Sequence, residues 1–348
     1  MAEMKTMKAL NLYGVGDLRY DDVPMPDPKE GEVLLAVRAC GICGSDIPRV
    51  YSKGTYHFPT ILGHEFAGEV VQADDSELVG RRAAVFPLLP CGHCAACQTG
   101  HYAQCSQYSY YGSRQDGGMA EYLAVKAANL CLVPDGVSDE AAAMTEPSAV
   151  ALHALRKSGV GIGGTFLVYG IGTIALLLAQ WARSAGVRHI LLAARSAEKV
   201  AFAKRLGFQE AYDVTQTDLQ EVVAKATDGQ GVDACIEGTG ASAGLEACCF
   251  AARPFGTIVT LGNPQDAMTL TQDGYWKILR KELRVLGTWN SSFQAMENDW
   301  KDALAGMQSH QIEPERIITH RFSLAQHAEA FSLMHEKKEL YGKIMFDV

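Results

Sequence analysis

The sequence predicts an α/β protein with two domains, one of them a doubly wound parallel sheet. Three observations support this prediction. The chain has 348 residues, which is too long for one simple core. A glycine turn of the form G-x-G-x-x-A stands between an apolar run and a helical pattern. Further apolar runs follow it with the spacing of parallel strands separated by helices.

The composition excludes several classes of function. Apolar residues make up 48% of the chain and charged residues 20%, which is a normal globular balance. The net charge of −9 argues against nucleic acid as the main partner, because phosphate binding needs a basic face. The sequence has neither a secretory signal pattern nor an apolar run long enough for a membrane span. We therefore expect a cytosolic protein with reduced thiols and no nucleic acid or membrane partner.

The segments CGICGSD (residues 40–46) and GHEFAGEV (residues 63–70) predict an open metal site. Cys43, His64 and a carboxylate form a mixed sulfur, nitrogen and oxygen set. Three protein ligands plus water are typical of a catalytic zinc. The second segment is interpreted as a strand after a glycine turn. The spacing leaves the carboxylate open between Glu65, next to His64, and Glu146 in TEPSAVALHA.

Two neighbours of Cys43 are interpreted as helpers of this site. Ser45 is close enough in sequence to pass a proton from an alcohol held by the metal. Asp46 is expected to hold the second ring nitrogen of His64, because ligating histidines usually donate their other nitrogen to an oxygen.

Four cysteines in CGHCAACQTGHYAQC predict a second, closed metal site. Their spacing, C-x2-C-x2-C-x7-C, lets thiolates turn toward one tetrahedral centre. A four-thiolate zinc has no open position, so this site is expected to be structural. Its ligands are Cys91, Cys94, Cys97 and Cys105. The remaining five cysteines besides Cys43 are interpreted as buried apolar residues: Cys40, Cys131, Cys235, Cys248 and Cys249.

The segment TFLVYGIGTIALLLAQWARSAG predicts a dinucleotide-binding module. A buried strand, Phe166–Tyr169, runs into a tight turn whose glycines let the backbone approach a pyrophosphate. A helix then presents its unpaired N–H groups to the phosphates. The predicted cofactor-binding residues of this turn are Gly170, Gly172, Ile174 and Ala175. Later strands are predicted at residues 188–195, 232–238, 256–262 and 283–289.

The end of the strand predicted at residues 188–195 indicates which coenzyme is bound. An NAD-binding domain usually has an acidic residue there for the ribose hydroxyls. This chain has Ala194, Arg195 and Ser196 instead, with Lys199 beyond. No carboxylate repels a 2′-phosphate at this place, and Arg195 can grip one. We therefore predict that NADP is preferred over NAD. The alternative is a surface arginine that tolerates NAD.

These motifs, in this order, resemble the zinc-containing medium-chain alcohol and polyol dehydrogenases over essentially the whole chain. The resemblance implies a GroES-like catalytic domain, residues 1–153 completed by 290–348, and a Rossmann domain, residues 154–289. It implies a homodimer or homotetramer. It favours Glu146 as the third catalytic zinc ligand. Glu65 is then either the alternate ligand or a residue that contacts the ligands. It also implies two zinc ions per chain and reversible oxidation of a secondary alcohol.

We expect the substrate to be a polyol or a polyol phosphate. Four cationic side chains near the zinc motifs are candidates for binding it, although each is also typical of a solvated surface: Arg49, Lys53, His57 and Arg114. The alternatives within the family are a free-polyol enzyme of the sorbitol type and a threonine-type dehydrogenase. An alternative of another class is a non-catalytic protein that binds zinc and a nucleotide.

Overall fold

The computed structural model describes residues 5–348, and these divide into two compact units. The first contains the described residues up to Pro147 together with Ser292–Val348, and the second is Ser148–Ser291. The sequence placed these boundaries at 153/154 and 289/290. Residues 1–4, which belong to the predicted first domain, lie outside the described residues.

Strands dominate the chain up to the unit boundary. They are β1 (Thr6–Gly14), β2 (Asp17–Pro24), β3 (Glu32–Gly41), β4 (Thr60–Ile61), β5 (Glu65–Gln72), β6 (Arg82–Val85), β7 (Leu88–Leu89), β8 (Ser109–Tyr110), β9 (Tyr122–Lys126) and β10 (Leu130–Leu132). The helices are α1 (Asp46–Pro48), α2 (Ala95–Gln98), α3 (Asp139–Ala143) and α4 (Thr145–Ser158), the last of which spans the boundary.

The second unit alternates strands and helices. Its strands are β11 (Thr165–Tyr169), β12 (His189–Ala194), β13 (Ala211–Asp213), β14 (Val232–Glu237), β15 (Ala252–Thr260) and β16 (Arg284–Gly287). Its helices are α5 (Thr173–Ser184), α6 (Ala197–Arg205), α7 (Leu219–Ala226), α8 (Ser242–Ala251) and α9 (Gln272–Arg280). The chain then returns to the first unit with α10 (Asp299–Gln308), β17 (Ile318–Ser323), α11 (His327–Glu336) and β18 (Lys343–Asp347).

The second unit confirms the predicted doubly wound sheet. Its six strands are parallel and lie in the order β13-β12-β11-β14-β15-β16. This is the strand order 3-2-1-4-5-6 of two mononucleotide-binding halves. Five of the six strands coincide with predicted apolar runs, and β13, only three residues long, is the one that was not predicted.

The first unit is built on a seven-stranded sheet to which both ends of the chain contribute. Its strands lie in the order β10-β6-β5-β3-β18-β17, and β9 also pairs with β3. The strands β18 and β5 flank β3 on either side, both antiparallel to it. Alternate residues of β3 and β5, such as Leu35, Val37 and Phe66, enter one apolar core. The sheet therefore holds segments from distant parts of the sequence side by side.

Two further observations concern the surface and the thiols. No helix among the described residues is long and apolar enough to cross a lipid bilayer. The five cysteines predicted to be buried apolar residues are all buried, which confirms that prediction: Cys40, Cys131, Cys235, Cys248 and Cys249.

Candidate functional site

Two strands of the first unit bring the predicted open metal site together. Cys43 follows the end of β3, and Glu65 opens β5 directly after His64. The Cys43 sulfur, a ring nitrogen of His64 and a carboxylate oxygen of Glu65 all lie within 4.8 Å of one another. His64 and Glu65 are buried, while Cys43 is half-buried. Candidate ligands separated by about twenty residues thus lie close together.

Two glycines make this convergence possible. Gly63 has φ +96°, and a β-carbon there would lie 2.6 Å from Cys40 Sγ and 2.9 Å from the backbone nitrogen of Met119. Only glycine fits that conformation and space, so the glycine turn before His64 is required. Gly41 is paired with Glu65 across the strands, and a β-carbon there would lie 2.5 Å from Glu65 Oε2. The missing side chain leaves room for the carboxylate.

The Glu65 carboxylate pairs with a buried lysine from β18. Lys343 Nζ lies 2.5 Å from Glu65 Oε2 and donates to the Ile42 carbonyl at 3.1 Å. The side chains of both charged residues are almost wholly buried, at 4% and 2% exposure. Burial would lower the pKa of Lys343, but the Glu65 carboxylate and Cys43 outweigh this and the pKa is raised. One oxygen of Glu65 is therefore already occupied by a cation.

Glu146 is a second buried carboxylate beside this group, and it forms no salt bridge with a described residue. It is not one of the three residues within 4.8 Å, but its Oε1 accepts a hydrogen bond from the Tyr110 hydroxyl at 3.2 Å. Burial raises the pKa of Glu146 to about 7. The Tyr110 ring also contacts His64 edge-on, with centroids 5.7 Å apart. Tyr110 thus links Glu146 to the metal-ligand group.

Asp46 lies at the base of the site and is fully buried. Its Oδ2 accepts from the Cys43 backbone nitrogen at 3.0 Å, and its Oδ1 accepts from Arg49 Nη1 at 2.7 Å. His64 Nδ1 faces Oδ1 at 3.7 Å, which is too long for a hydrogen bond. This nitrogen has no other partner in the described part of the chain. The expected Asp46–His64 hydrogen bond is therefore not formed, although the two groups face each other.

The four remaining predicted ligands form a compact cluster of their own. The sulfurs of Cys91, Cys94, Cys97 and Cys105 lie within 4.8 Å of one another. Cys97 Sγ is 3.9 Å from Cys91 Sγ and 3.5 Å from Cys94 Sγ. Sulfurs placed tetrahedrally around zinc at about 2.3 Å are about 3.8 Å apart, so this spacing fits the ion. The backbone N–H of Cys97 lowers the pKa of Cys94 to about 6.

The predicted dinucleotide turn lies between β11 and α5. Gly170 has φ +107°, and a β-carbon there would lie 2.7 Å from Thr239 Cγ2. Gly172 caps α5, and no atom lies within 4 Å of the place its β-carbon would occupy. Ala175 is buried on α5, and Ile174 lies in the same first turn. The N-terminus of the helix is thus open to a phosphate group.

The predicted coenzyme-selecting residues follow β12. Ala194 is its last residue and is buried, while Arg195 is exposed. Ser196 caps α6, because its hydroxyl accepts from the Lys199 backbone nitrogen at 3.3 Å. The hydroxyl of Ser196 and the backbone of Lys199 therefore have a structural role in starting the helix.

Of the four predicted substrate-binding residues, only Arg49 contacts the metal-ligand segment. Lys53 and His57 are exposed, and both ring nitrogens of His57 lie near backbone carbonyls, those of Pro59 at 3.0 Å and Arg114 at 3.2 Å. The Arg114 guanidinium stacks between Tyr56 and Tyr108, with its Cζ 4.3 and 4.5 Å from the two ring centroids.

Comparison with known proteins identifies the family. Residues 29–135 match the model of the alcohol dehydrogenase GroES-like domain, and residues 170–309 match that of the zinc-binding dehydrogenases. Galactitol 1-phosphate 5-dehydrogenase of Escherichia coli (strain K12) is 32% identical over 320 residues, covering 90% of this chain and 92% of the relative. The chain belongs to the zinc-binding dehydrogenase family. This confirms the predicted GroES-like and Rossmann folds and the predicted class of enzyme.

Other members of the family resemble the chain to a similar degree. Sorbitol dehydrogenase of Halalkalibacterium halodurans is 32% identical over 333 residues, covering 93% of this chain and 95% of the relative. The crystal structure of galactitol-1-phosphate dehydrogenase from Escherichia coli superposes with a TM-score of 0.92 at 30% identity, covering 98% of this chain and all of that one. Zinc-binding dehydrogenases named for a polyol phosphate and for a free polyol are therefore equally similar in sequence.

Sequence reasoning missed Lys343. A lysine before the apolar run IMF is usually a strand-end residue in solvent, and its partner Glu65 is 278 positions away. The available signal was its position at the start of an otherwise apolar strand, where a buried cation needs an anionic partner.

Replacing Lys343 by methionine should destabilise the metal-free protein strongly. The change leaves the Glu65 carboxylate buried without its cation, and breaking such a pair costs about 3–5 kcal/mol. Urea unfolding followed by circular dichroism measures the loss in the free energy of unfolding. The control is Lys8→Met, which removes an exposed ion pair with Asp22 and should change little. A Lys343→Met variant as stable as the control would contradict a stabilising role for the buried pair.

Proposed function

We propose that the chain oxidises a secondary alcohol of a polyol or polyol phosphate, reversibly and with NADP as the preferred coenzyme. The observation that carries this proposal is the grouping of Cys43, His64 and Glu65 within 4.8 Å, with buried Glu146 beside them. The unit built on residues 292–348 and the described residues up to Pro147 is proposed as the catalytic domain, and Ser148–Ser291 as the dinucleotide-binding domain.

The charges of the site fit a divalent cation. Four acidic groups surround it when Cys43 is a thiolate: Cys43, Asp46, Glu65 and Glu146. Two cations are paired with two of them, Lys343 with Glu65 and Arg49 with Asp46. When Glu146 is also ionised, a charge of −2 is left on Cys43 and Glu146. Burial, with Glu65 and Asp46 nearby, raises the pKa of Cys43 to about 12, so metal binding would release its proton.

The charge balance favours one ligand set over its alternative. Because Lys343 occupies one oxygen of Glu65, we propose Cys43, His64 and Glu146 as the protein ligands of the catalytic zinc. Glu65 is then the neighbour that holds Lys343 in the site. Zinc would supply Lewis acidity at the alcohol oxygen, and the nicotinamide would accept the hydride.

The side chains around this set have separate roles in the proposed reaction. The Ser45 hydroxyl hydrogen-bonds the alcohol oxygen and takes part in moving its proton to solvent. Tyr110 holds the Glu146 carboxylate through its hydroxyl and packs against His64. Asp46 fixes the loop that carries Cys43 through the Cys43 backbone nitrogen. These contacts orient the proposed ligands before a substrate arrives.

A screen of substrates tests the proposed activity. We expect turnover of galactitol 1-phosphate or arabitol phosphate, with slower turnover of sorbitol and none of threonine. The measurement is the initial rate for each compound with NADP and with NAD. Failure on every phosphorylated polyol would reject the phosphate as part of the substrate, and the sorbitol-type or threonine-type activity would take its place. A protein with one tightly held zinc and no turnover at all would support the non-catalytic alternative.

The coenzyme preference rests on the end of β12. Arg195 is exposed there and can reach a 2′-phosphate, while Ala194 offers no carboxylate to ribose hydroxyls. The neighbouring strand ends at Asp213, which is paired with Ala194. The carboxylate of Asp213 accepts from the backbone nitrogen and hydroxyl of Thr215 at 2.9 and 2.7 Å. That carboxylate is thus held by its own loop.

Replacing Arg195 by leucine should reduce kcat/KM for NADP and leave kcat/KM for NAD nearly unchanged. A hydrogen bond to a charged group contributes about 1.5–3 kcal/mol, so a reduction of roughly 10- to 100-fold is expected. The control is Arg188→Leu, an exposed arginine before the other end of the same strand. Equal kcat/KM values for NADP and NAD in the unmodified protein, or an equal loss with both coenzymes in Arg195→Leu, would contradict the proposal.

The four-cysteine cluster is proposed to hold a second, structural zinc. All four ligands are sulfurs, so no open position remains for a substrate. A cluster of this kind needs reduced thiols, which suits the proposed cytosolic location.

Replacing Cys97 by serine and replacing Cys43 by serine should have different effects on stability and turnover. Cys97→Ser is expected to affect stability, measured as the melting temperature, more strongly than turnover, because it weakens the cluster. Cys43→Ser is expected to abolish turnover in a folded protein. Melting curves, zinc content and kcat of both variants give the comparison. A folded Cys97→Ser protein that is as inactive as Cys43→Ser would show that this division of roles is wrong.

We also propose a homo-oligomer, a dimer or a tetramer. The strand β16 is supporting evidence, because all four of its residues are exposed and no other described strand pairs with its free edge. Val285 and Leu286 on it are 42% and 38% exposed. A free sheet edge with apolar side chains is a surface on which a second chain can add.

A further inference from the structure

Arg49 donates two hydrogen bonds to side chains of the segment that carries Cys43. Its Nη1 donates to Ser45 Oγ at 2.9 Å and to Asp46 Oδ1 at 2.7 Å. Its side chain is 21% exposed and that of Asp46 is fully buried. The guanidinium therefore connects the proposed proton-transfer hydroxyl to the carboxylate at the base of the metal-ligand loop.

The hydrogen bond from Arg49 restricts the direction in which the hydroxyl hydrogen of Ser45 can point. A hydroxyl has one hydrogen and two acceptor lone pairs, and an N–H group can only donate. Since Arg49 donates to Ser45 Oγ, the hydrogen of Ser45 must point away from Arg49. The Ser45 hydroxyl donates no hydrogen bond to a described residue. The hydrogen is thus left available for an oxygen that enters the site.

The local backbone holds Arg49 in this position. After α1, residues Arg49–Lys53 form a π-helical turn, closed by a bond from the Gly54 nitrogen to the Arg49 carbonyl at 3.1 Å. Such turns are rare and frequently occur at functional sites. Tyr51 of this turn stacks on His335 of α11, with centroids 3.9 Å apart and planes at 11°. The turn is therefore also held by packing against α11.

We propose that Arg49 is a positioning residue for the oxidation, acting by fixing the orientation of the Ser45 hydroxyl: Arg49 occupies one lone pair of Ser45 Oγ, the other lone pair accepts the alcohol proton, and the Ser45 hydrogen passes to solvent. This inference rests on the proposed function, in which Ser45 contacts the alcohol. The reaction moves a hydride from the carbinol carbon to the nicotinamide and the hydroxyl proton to solvent. Arg49 neither gains nor loses a proton in it. Its role differs from the direct substrate contact that the sequence suggested.

The competing role is that Arg49 binds a substrate phosphate directly. Its Nε and Nη2 have no partner among the described residues, so these donors are available. The two roles predict different kinetics. A direct phosphate contact affects KM and affects phosphorylated substrates far more than free polyols. Positioning of Ser45 affects kcat and affects both kinds of substrate equally.

The test compares Arg49→Gln and Arg49→Lys in the zinc-loaded enzyme with the fastest phosphorylated and free polyols of the screen. For Arg49→Gln we expect kcat to fall roughly 100-fold on both substrates, with KM nearly unchanged. Arg49→Lys keeps a charged donor and should recover part of this loss. The double variant Ser45→Ala/Arg49→Gln should be no slower than Ser45→Ala alone, because Arg49 acts through Ser45.

Arg82→Gln is the matched control. Arg82 also donates from Nη1 to one carboxylate, Asp139 Oδ1 at 3.1 Å, and to one further oxygen, the Val137 carbonyl at 2.8 Å. It lies outside the proposed catalytic residues, so its loss should lower the melting temperature without changing kcat. Zinc content and melting temperature are measured for every variant.

Four outcomes would overturn the proposal. They are an unchanged kcat in Arg49→Gln, a KM effect confined to the phosphorylated substrate, additive losses in the double variant, and loss of zinc from Arg49→Gln. The last would mean that Arg49 only holds the metal-ligand loop. If the unmodified protein oxidises no alcohol, the proposed function itself fails. If it does and only the Arg49 results disagree, the proposed function stands and the role of Arg49 does not.

Discussion

The buried ion pair between Lys343 and Glu65 is the constraint on which the site depends. It brings a positive charge from β18 to Glu65, the first residue of β5 and the chain neighbour of His64. The pair needs the empty space at Gly41, where a side chain would meet the carboxylate. Within the site, it also leaves Glu146 as the buried carboxylate that forms no salt bridge with a described residue. In the proposed ligand set, the strands of the seven-stranded sheet thus determine which acidic group remains for a metal ion.

Much of the second unit could be predicted because its signals are local. Its central strands carry runs of consecutive buried residues, such as Phe166–Tyr169, as expected for a parallel sheet buried on both faces. The glycine at 170 marks its turn by a conformation that other residues rarely adopt. The strand β13 was not predicted, because it has only three residues and Ala211 alone is buried, so it shows no hydrophobic periodicity. The sheet of the first unit came instead from resemblance, since its pairing partners are distant in sequence.

The site shows the same division between local and long-range information. Cys91, Cys94 and Cys97 are separated by two residues each, so their common centre could be predicted from spacing. The partnership of Lys343 with Glu65 spans 278 positions and has no spacing rule. Arg49 was recognised as a cation near the zinc motifs. Its hydrogen bonds to Ser45 and Asp46 reach back four and three positions across the short helix α1, an element that was not predicted from the residue types.

The first unit is assembled from two separated segments of the chain, and this affects the order in which its parts become available during synthesis. The ribosome produces Glu65 long before Lys343, with the entire second unit in between. At roughly 5–20 residues per second, synthesis of the 278 positions from Glu65 to Lys343 takes tens of seconds. During that interval β3 lacks its neighbour β18 and the acidic cluster lacks its lysine. The proposed metal-ligand group is therefore incomplete until Lys343 has been made, while the second unit is already free to fold.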